Sequence, residues 1–333
     1  MAALDIIAGF IASIIIYNIP LLFGTVGEIL NEKAGSLNLG VEGTMAVGAI
    51  FGYLIGNWCN SLFMGILAAM FFAALCGMLF AFFTVTLQAN QNVTGLTVTT
   101  FGLGVYYFVA HGVNKSKAGW PKMADAINVD AAFEPIHIPL LSDIPFIGKA
   151  FFSHNIFIYL GIAIAIAVWW YMKHTRFGLK LRAVGENPGA ADSSGVKINF
   201  YKYLHITLGS AIMGIGGYYM ALNINGEYLA SSGWINGYGW IAVALVIFAN
   251  WNPAKAILGT FIFGIFKALE VYSDAIANGF PTVFSWMKAI PPKVYTMLPF
   301  VITAIVLIIS SVRKNKNSGQ PAACGVNYYR EDR

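Results

Sequence analysis

GTMAVGAIFGYLIGNWCNSLFMGILAAMFFAALCGMLFAFFTVTLQANQNVTGLTVTTFGLGVYYFVAHGVN, residues 43–114, holds 72 consecutive positions without an Asp, Glu, Lys or Arg. As one continuous helix it would run roughly 108 Å at 1.5 Å per residue. The hydrocarbon core of a bilayer is about 30 Å thick. The stretch therefore crosses a membrane about three times. Its polar breaks, Asn57–Ser61 and Gln88–Asn92, divide it into expected spans near 41–56, 62–87 and 93–112.

Working outward, the rest of the chain obeys the same arithmetic. Of 333 residues, 58% are hydrophobic and 11% are charged, against about 25% charged in a soluble domain. The mean hydropathy is +0.67. Such a chain cannot cover itself with a wet surface, so a soluble enzyme, a secreted disulfide scaffold and a disordered chain are excluded. The net charge of +5 comes from short basic loops and a basic tail, which gives no continuous patch for nucleic acid. Cys59, Cys76 and Cys324 are far apart and include no CxxC pair, so neither disulfides nor a metal site is implied. Ile6–Phe23 lacks a preceding basic region and is expected as a retained first span.

Further charge-free runs at 150–172, 203–226 and 294–312 are each one helix long. The run 228–254 contains Gly233, Gly237 and Gly239, then Asn250-Trp251-Asn252-Pro253; it is expected to be an outer loop, a short span from Trp240 and a turn. A span over 256–270 follows. The segment 173–202 carries six Lys or Arg, and the tail 313–333 carries five. The loop 113–152 carries four, offset by four acids. The positive-inside rule places the first two in the cytoplasm and the third outside. The resulting fold class is an all-α polytopic membrane protein. It has about nine transmembrane helices (eight to ten), some discontinuous, with the N-terminus outside and the C-terminus inside. Residues 1–312 form one transmembrane domain, with 113–152 extracytoplasmic and 173–202 cytoplasmic, and 313–333 form a cytoplasmic tail. The matching Asn57-Trp58-Cys59-Asn60 and Asn250-Trp251-Asn252-Pro253 turns, expected on opposite sides, would fit an inverted repeat.

Three features depart from a plain bundle. Glycines lie inside the spans, some four apart, such as Gly48 and Gly52; they allow helix backbones to approach closely, or permit broken helices along a path. Glu42 stands where the longest apolar run begins, either at the interface beside Lys33 or facing a cavity at membrane depth; a structural role is favoured. In the basic loop, Asn187 suits an N-cap, Pro188 the first helical position and Gly195 the residue after the last turn. A capped helix of about two turns follows from this, too short to stand alone. It must pack on this chain as a lid or dock on another.

The stretch Asn31-Glu-Lys-Ala-Gly-Ser-Leu-Asn-Leu-Gly-Val-Glu-Gly43 resembles the signature of permease subunits of nucleoside-type ABC importers. These belong to the wider group of ribose and branched-chain amino-acid permeases. Arg182-Ala-Val-Gly-Glu-Asn-Pro188, with Ala190, Ala191 and Gly195, resembles the cytoplasmic coupling segment of that family. The ending Pro321-Ala-Ala-Cys-Gly-Val-Asn-Tyr-Tyr-Arg-Glu-Asp-Arg333 is similar to the family's C-terminus, with Cys324 where Leu is commoner. Asp192-Ser193-Ser194 replaces a more apolar turn. The resemblance implies a permease that neither binds nor hydrolyses ATP, in a bacterial cytoplasmic (inner) membrane. No GxxxxGK[ST] phosphate loop is present. It also implies an ATPase carrying ATP and Mg²⁺, docked on Arg182, Gly185, Glu186, Asn187, Pro188, Ala190, Ala191 and Gly195. An extracytoplasmic binding protein, often a lipoprotein, and a second permease (a paralogue or a second copy) complete the implied assembly, with membrane lipid around it.

A nucleoside or purine needs stacking and hydrogen bonds. The candidate path residues are Asn38, Glu42, Thr97, Thr100, Phe101, Asn223 and Trp240, with Thr94, Thr99 and Asn225 beside them. Each has an ordinary reading as well, since Thr and Asn bridge membrane helices and Trp marks interfaces. Riboflavin or a simple sugar would leave nearly the same sequence. An ion-coupled carrier would place charges in mid-span, where Lys267 and Glu270 nearly stand alone. A membrane enzyme would show a motif such as HExxH or GxSxG, and neither occurs; His111, His154 and His205 are isolated.

Overall fold

The computed structural model describes residues 2–115, 135–142, 144, 146–223, 235, 237–291, most of 294–308 and 319–329. Among these residues every regular element is a helix. The long ones are α1 (Ala2–Lys33), α2 (Val41–Trp58), α3 (Leu62–Ala81) and α4 (Gln91–Lys115), with α5 (Ile156–His174) after the outer loop. Two short helices follow, α6 (Arg176–Glu186) and α7 (Pro188–Ser193). Then come α8 (Ile198–Asn223), α9 (Tyr238–Phe248), α10 (Pro253–Gly279) and the single turn α11 (Pro281–Phe284). The segments Leu4–Lys33, Leu62–Thr86, Gln91–Gly112 and Ile156–His174 are long and apolar enough to cross a membrane, whereas Tyr238–Phe248 is apolar but only 11 residues long. Expected span 294–312 is described only in part.

The helices fall on the expected spans but differ at their ends; α10 runs nine residues past Glu270. α1 runs ten residues past Phe23, through Pro20, so Asn31 and Lys33 of the signature stretch are helical. Proline is tolerated there because packed neighbours in a membrane protein can re-satisfy the freed backbone groups. The last turn of the third span loosens into a π-helical stretch, Phe82–Thr86, before the polar break.

Small residues set the core. α8 lies against α1, α2 and α3. A methyl group on Gly209 would stand 2.4 Å from the Gly27 carbonyl oxygen, and one on Gly214 2.4 Å from that of Ala69. One on Gly217 would fall 1.9 Å from the Met45 oxygen. Bulk is thereby excluded at these crossings, as expected where helices associate by close backbone packing. Around them Ile19, Phe23, Ile29, Met45, Tyr53, Tyr218 and Tyr219 are fully buried.

Two parts of the chain share an order. α1, an irregular stretch, α2, a tight turn and α3 are matched by α8, residues between 223 and 238, α9, a tight turn and α10. Both turns use left-handed asparagines, Asn60 at φ 46° and Asn250 at φ 52°, which asparagine tolerates best after glycine. The N-terminal ends of α2 and α9 meet, at Glu42 and Gly237–Gly239.

Candidate functional site

The signature stretch builds the break between α1 and α2. After Lys33 the chain turns at Gly35, with φ 79°, and runs non-helically to Gly40. Glu28 organises it: one oxygen accepts from the Asn38 backbone N–H at 2.8 Å and the other from the Asn31 amide at 2.8 Å. Asn38 Oδ1 accepts from the Gly40 N–H at 2.8 Å. Thr99 donates to the Leu39 carbonyl at 2.8 Å. A return chain inside a membrane protein needs its backbone groups satisfied, and these side chains satisfy them.

Glu42 sits in the first turn of α2 and is buried. Its carboxylate accepts the Gly237 N–H and the Gly239 N–H, both at 2.7 Å. Those are orphan donors at the start of α9, where the positive end of the helix dipole favours an anion. Lys33, the alternative partner, donates instead to the Gly319 carbonyl at 2.6 Å. Glu42 is thus a cap for another helix at membrane depth, the structural reading. Nothing in the sequence pattern signals it, because 195 positions separate the partners.

The other path candidates lie elsewhere. Asn38 is fully buried in the break. Thr99 and Gly102 face α2, while Thr97, Thr100 and Phe101 occupy an exposed face of α4 with Gly104, which has open space around it. Thr97 and Thr100 donate to the carbonyls of Val93 and Leu96 within their own helix. The Trp240 side chain is partly exposed at the start of α9. Asn223 ends α8, with its side chain outside the described residues, and Asn225 lies outside them altogether. The structure therefore brings Asn38 and Glu42 into the packed break and sets Thr97, Thr100, Phe101 and Trp240 on exposed faces.

The loop helices form as their caps require. Asn187 Oδ1 accepts the Ala190 N–H at 2.9 Å, Pro188 is the first residue of α7, and Gly195 adopts φ 80°. The N–H of Val196 reaches back to the Ala191 carbonyl at 3.0 Å, closing the last turn. Leu181, Val184, Gly185 and Ala191 are buried, whereas Arg182, Ala183, Glu186, Asn187, Ala190 and Gly195 are exposed. A buried side fixes the pair to this chain and a polar side is left outward. Gly185 makes the contact possible: a methyl group there would lie 2.4 Å from the Lys33 carbonyl oxygen.

Sequence reasoning missed the role of the tail. Residues 319–329 lie across this end of the molecule. Cys324 donates to Glu32 at 3.8 Å, and burial, followed by Glu32 and Glu28, pushes its thiol well above the usual range. The Trp251 indole N–H donates to the same Glu32 carboxylate.

The chain matches the family described as branched-chain amino acid transport system / permease component over residues 10–309. It is 35% identical to the nucleoside ABC transporter permease protein NupC of Lactococcus lactis subsp. cremoris, over 96% of both chains. It is 29% identical to the guanosine ABC transporter permease protein NupQ of Bacillus subtilis, over 92% of this chain and 93% of that one. TsgC13 of Haloferax volcanii, whose name assigns it provisionally to glucose ABC transport, is 32% identical over 93% of this chain and 94% of its own. No solved structure matches. With a family match across most of its length and a multi-pass helical body, this chain belongs to the branched-chain amino-acid-type permeases of ABC transporters, integral proteins of the cytoplasmic membrane that are not themselves enzymes.

Proposed function

We propose that this chain is the pore-forming permease subunit of an ATP-driven nucleoside importer, with α6 and α7 as the docking site of its ATPase. The nucleoside reading is supported by NupC and NupQ, similar along nearly the whole chain. The docking reading is carried by one observation: α6–α7 is anchored by a buried face and leaves Arg182, Ala183, Glu186 and Ala190 outward. ATP and Mg²⁺ are held by the partner ATPase, and an extracytoplasmic binding protein, a lipoprotein, delivers substrate. A second permease completes the pathway; NupB and NupP, named for the same two systems as NupC and NupQ, are also related to this chain, which favours a paralogue. Under this reading Thr97, Thr100, Phe101 and Trp240 line the space between the two permeases, and Glu42 and Asn38 hold its wall. TsgC13 supports a sugar as the second reading.

The test is reconstitution of the permeases with ATPase and binding protein, followed by uptake of radiolabelled guanosine and glucose. Guanosine uptake that requires ATP is the expected result; uptake of glucose alone would replace the nucleoside reading. Ala190→Arg, on the exposed face, is expected to leave permease abundance unchanged and to abolish co-purification of the ATPase. Full ATPase binding and uptake in that variant would remove the docking assignment.

A further inference from the structure

The C-terminal residues 319–329 contain no regular helix, yet they bond to five separate parts of the chain. Gly319 accepts from Lys33 at the end of α1, and its N–H donates to Asn250 Oδ1, at 2.7 Å, in the turn between α9 and α10. The N–H groups of Ala322 and Ala323 donate to the Glu186 carboxylate at 3.3 Å and the Gly185 carbonyl at 2.9 Å, on α6. Asn327 donates to the Gln88 and Ala89 carbonyls at 2.6 and 3.1 Å, in the break between α3 and α4, and accepts from Gln91, the first residue of α4, at 3.1 Å. Tyr328 accepts from Gln88 at 3.2 Å through its carbonyl and donates through its hydroxyl to Asp192 of α7 at 2.9 Å.

The last contact spans a gap. Gln88 and Asp192 line the same cavity of about 520 Å³, with Tyr328 between them. Tyr328 therefore bonds α7 to the 87–90 break across this cavity. Gln91 also accepts the Leu37 N–H at 2.8 Å, so the break carries on into the signature stretch and thence to Glu42 and α9. The same strap holds Asn250 at the other end of α9.

We propose that residues 319–329 are a transmission strap: they carry movement of the ATPase-docked helices α6 and α7 to the α3–α4 and α1–α2 breaks, with Asn327 and Tyr328 as positioning residues. The strap rests on the docking reading above. Helix pairs separated by a cavity can move independently; a segment bonded to both makes them move together. Without it, the ATPase would bind and turn over while the pathway responded weakly.

The reconstituted complex, compared at equal permease level, tests this by guanosine uptake per ATP hydrolysed. Tyr328→Phe and Asn327→Ala, both outside the docking helices, are each expected to retain ATPase binding and ATP hydrolysis while uptake per ATP falls about fivefold or more. The Tyr328→Phe/Asp192→Ala double variant is expected to be no worse than Asp192→Ala alone, because Tyr328→Phe removes only the contact that Asp192→Ala already breaks. Asp192→Asn keeps an accepting oxygen and is expected to stay near wild type. Unchanged uptake per ATP in Tyr328→Phe and Asn327→Ala, or an additive double variant, would overturn the strap. Failure of the docking reading looks different: Ala190→Arg would keep both ATPase binding and uptake, whatever the strap variants do.

Discussion

At the scale of single residues, Glu42 is the sharpest case. It holds two amides of α9 from the first turn of α2. Glu42→Ala leaves both unpaired inside the membrane, at a cost of about 1–3 kcal/mol for each buried donor. A thermal midpoint well below wild type in detergent is expected, with Glu42→Gln between the two; an unshifted midpoint would refute the cap. The cysteines differ in a way that sequence alone did not separate. Cys59 is exposed in the turn between α2 and α3, whereas Cys324 is partly covered, with its thiol held protonated by burial and by Glu32. A membrane-impermeant maleimide at neutral pH is expected to label Cys59 on intact cells and to leave Cys324 unlabelled even in opened membranes. Rapid labelling of Cys324 would contradict its placement. Glu42 stood out in the sequence as a charge at the edge of an apolar run, but its partners did not. No periodicity links a carboxylate to amides in a distant stretch of chain.

Elements were more legible. Charge-free length gave the spans, and polar clusters gave breaks at 57–61 and 88–92, which the structure places at 59–61 and 87–90, because a membrane punishes unpaired polar groups wherever lipid is the solvent. The α7 caps were readable because capping is local chemistry within a few residues. The end of α1 was not: the first span was expected over Ile6–Phe23, yet α1 runs on to Lys33, its Glu28 and Glu32 carboxylates covered by the break and the tail. Glycine positions can now be ranked by what surrounds them. Gly217→Ala would force α8 from α2 against the Met45 carbonyl, and strongly reduced folded yield is expected, since overpacking costs about 1–3 kcal/mol or more. Gly104→Ala meets open space and is expected to leave the isolated permease as stable as wild type, or more so by about 1 kcal/mol. Equal behaviour of the two variants in a thermal-shift measurement would invalidate the ranking.

For the whole molecule, Lys33, Gln88, Gly185, Asp192, Asn250 and the tail converge on one end. A reporter active only in the cytoplasm is expected to work when fused at position 185 and to fail at position 130, in the loop outside the described residues. Activity at 130 would reverse the orientation.

The glycine crossings of α8 with α1, α2 and α3 also have a mechanical meaning. Backbones in direct contact leave no side-chain layer to compress, and packed interiors transmit load as solids do. Those four helices then behave as a stator. The alternating motion of import falls on what surrounds it: the short α9, pinned at both ends, and the open face of α4. Spin labels on Phe71 of α3 and Leu208 of α8, both exposed, should keep one separation throughout the ATP cycle. Labels on Trp240 and Phe101 should show two separations, whose proportions follow the nucleotide supplied.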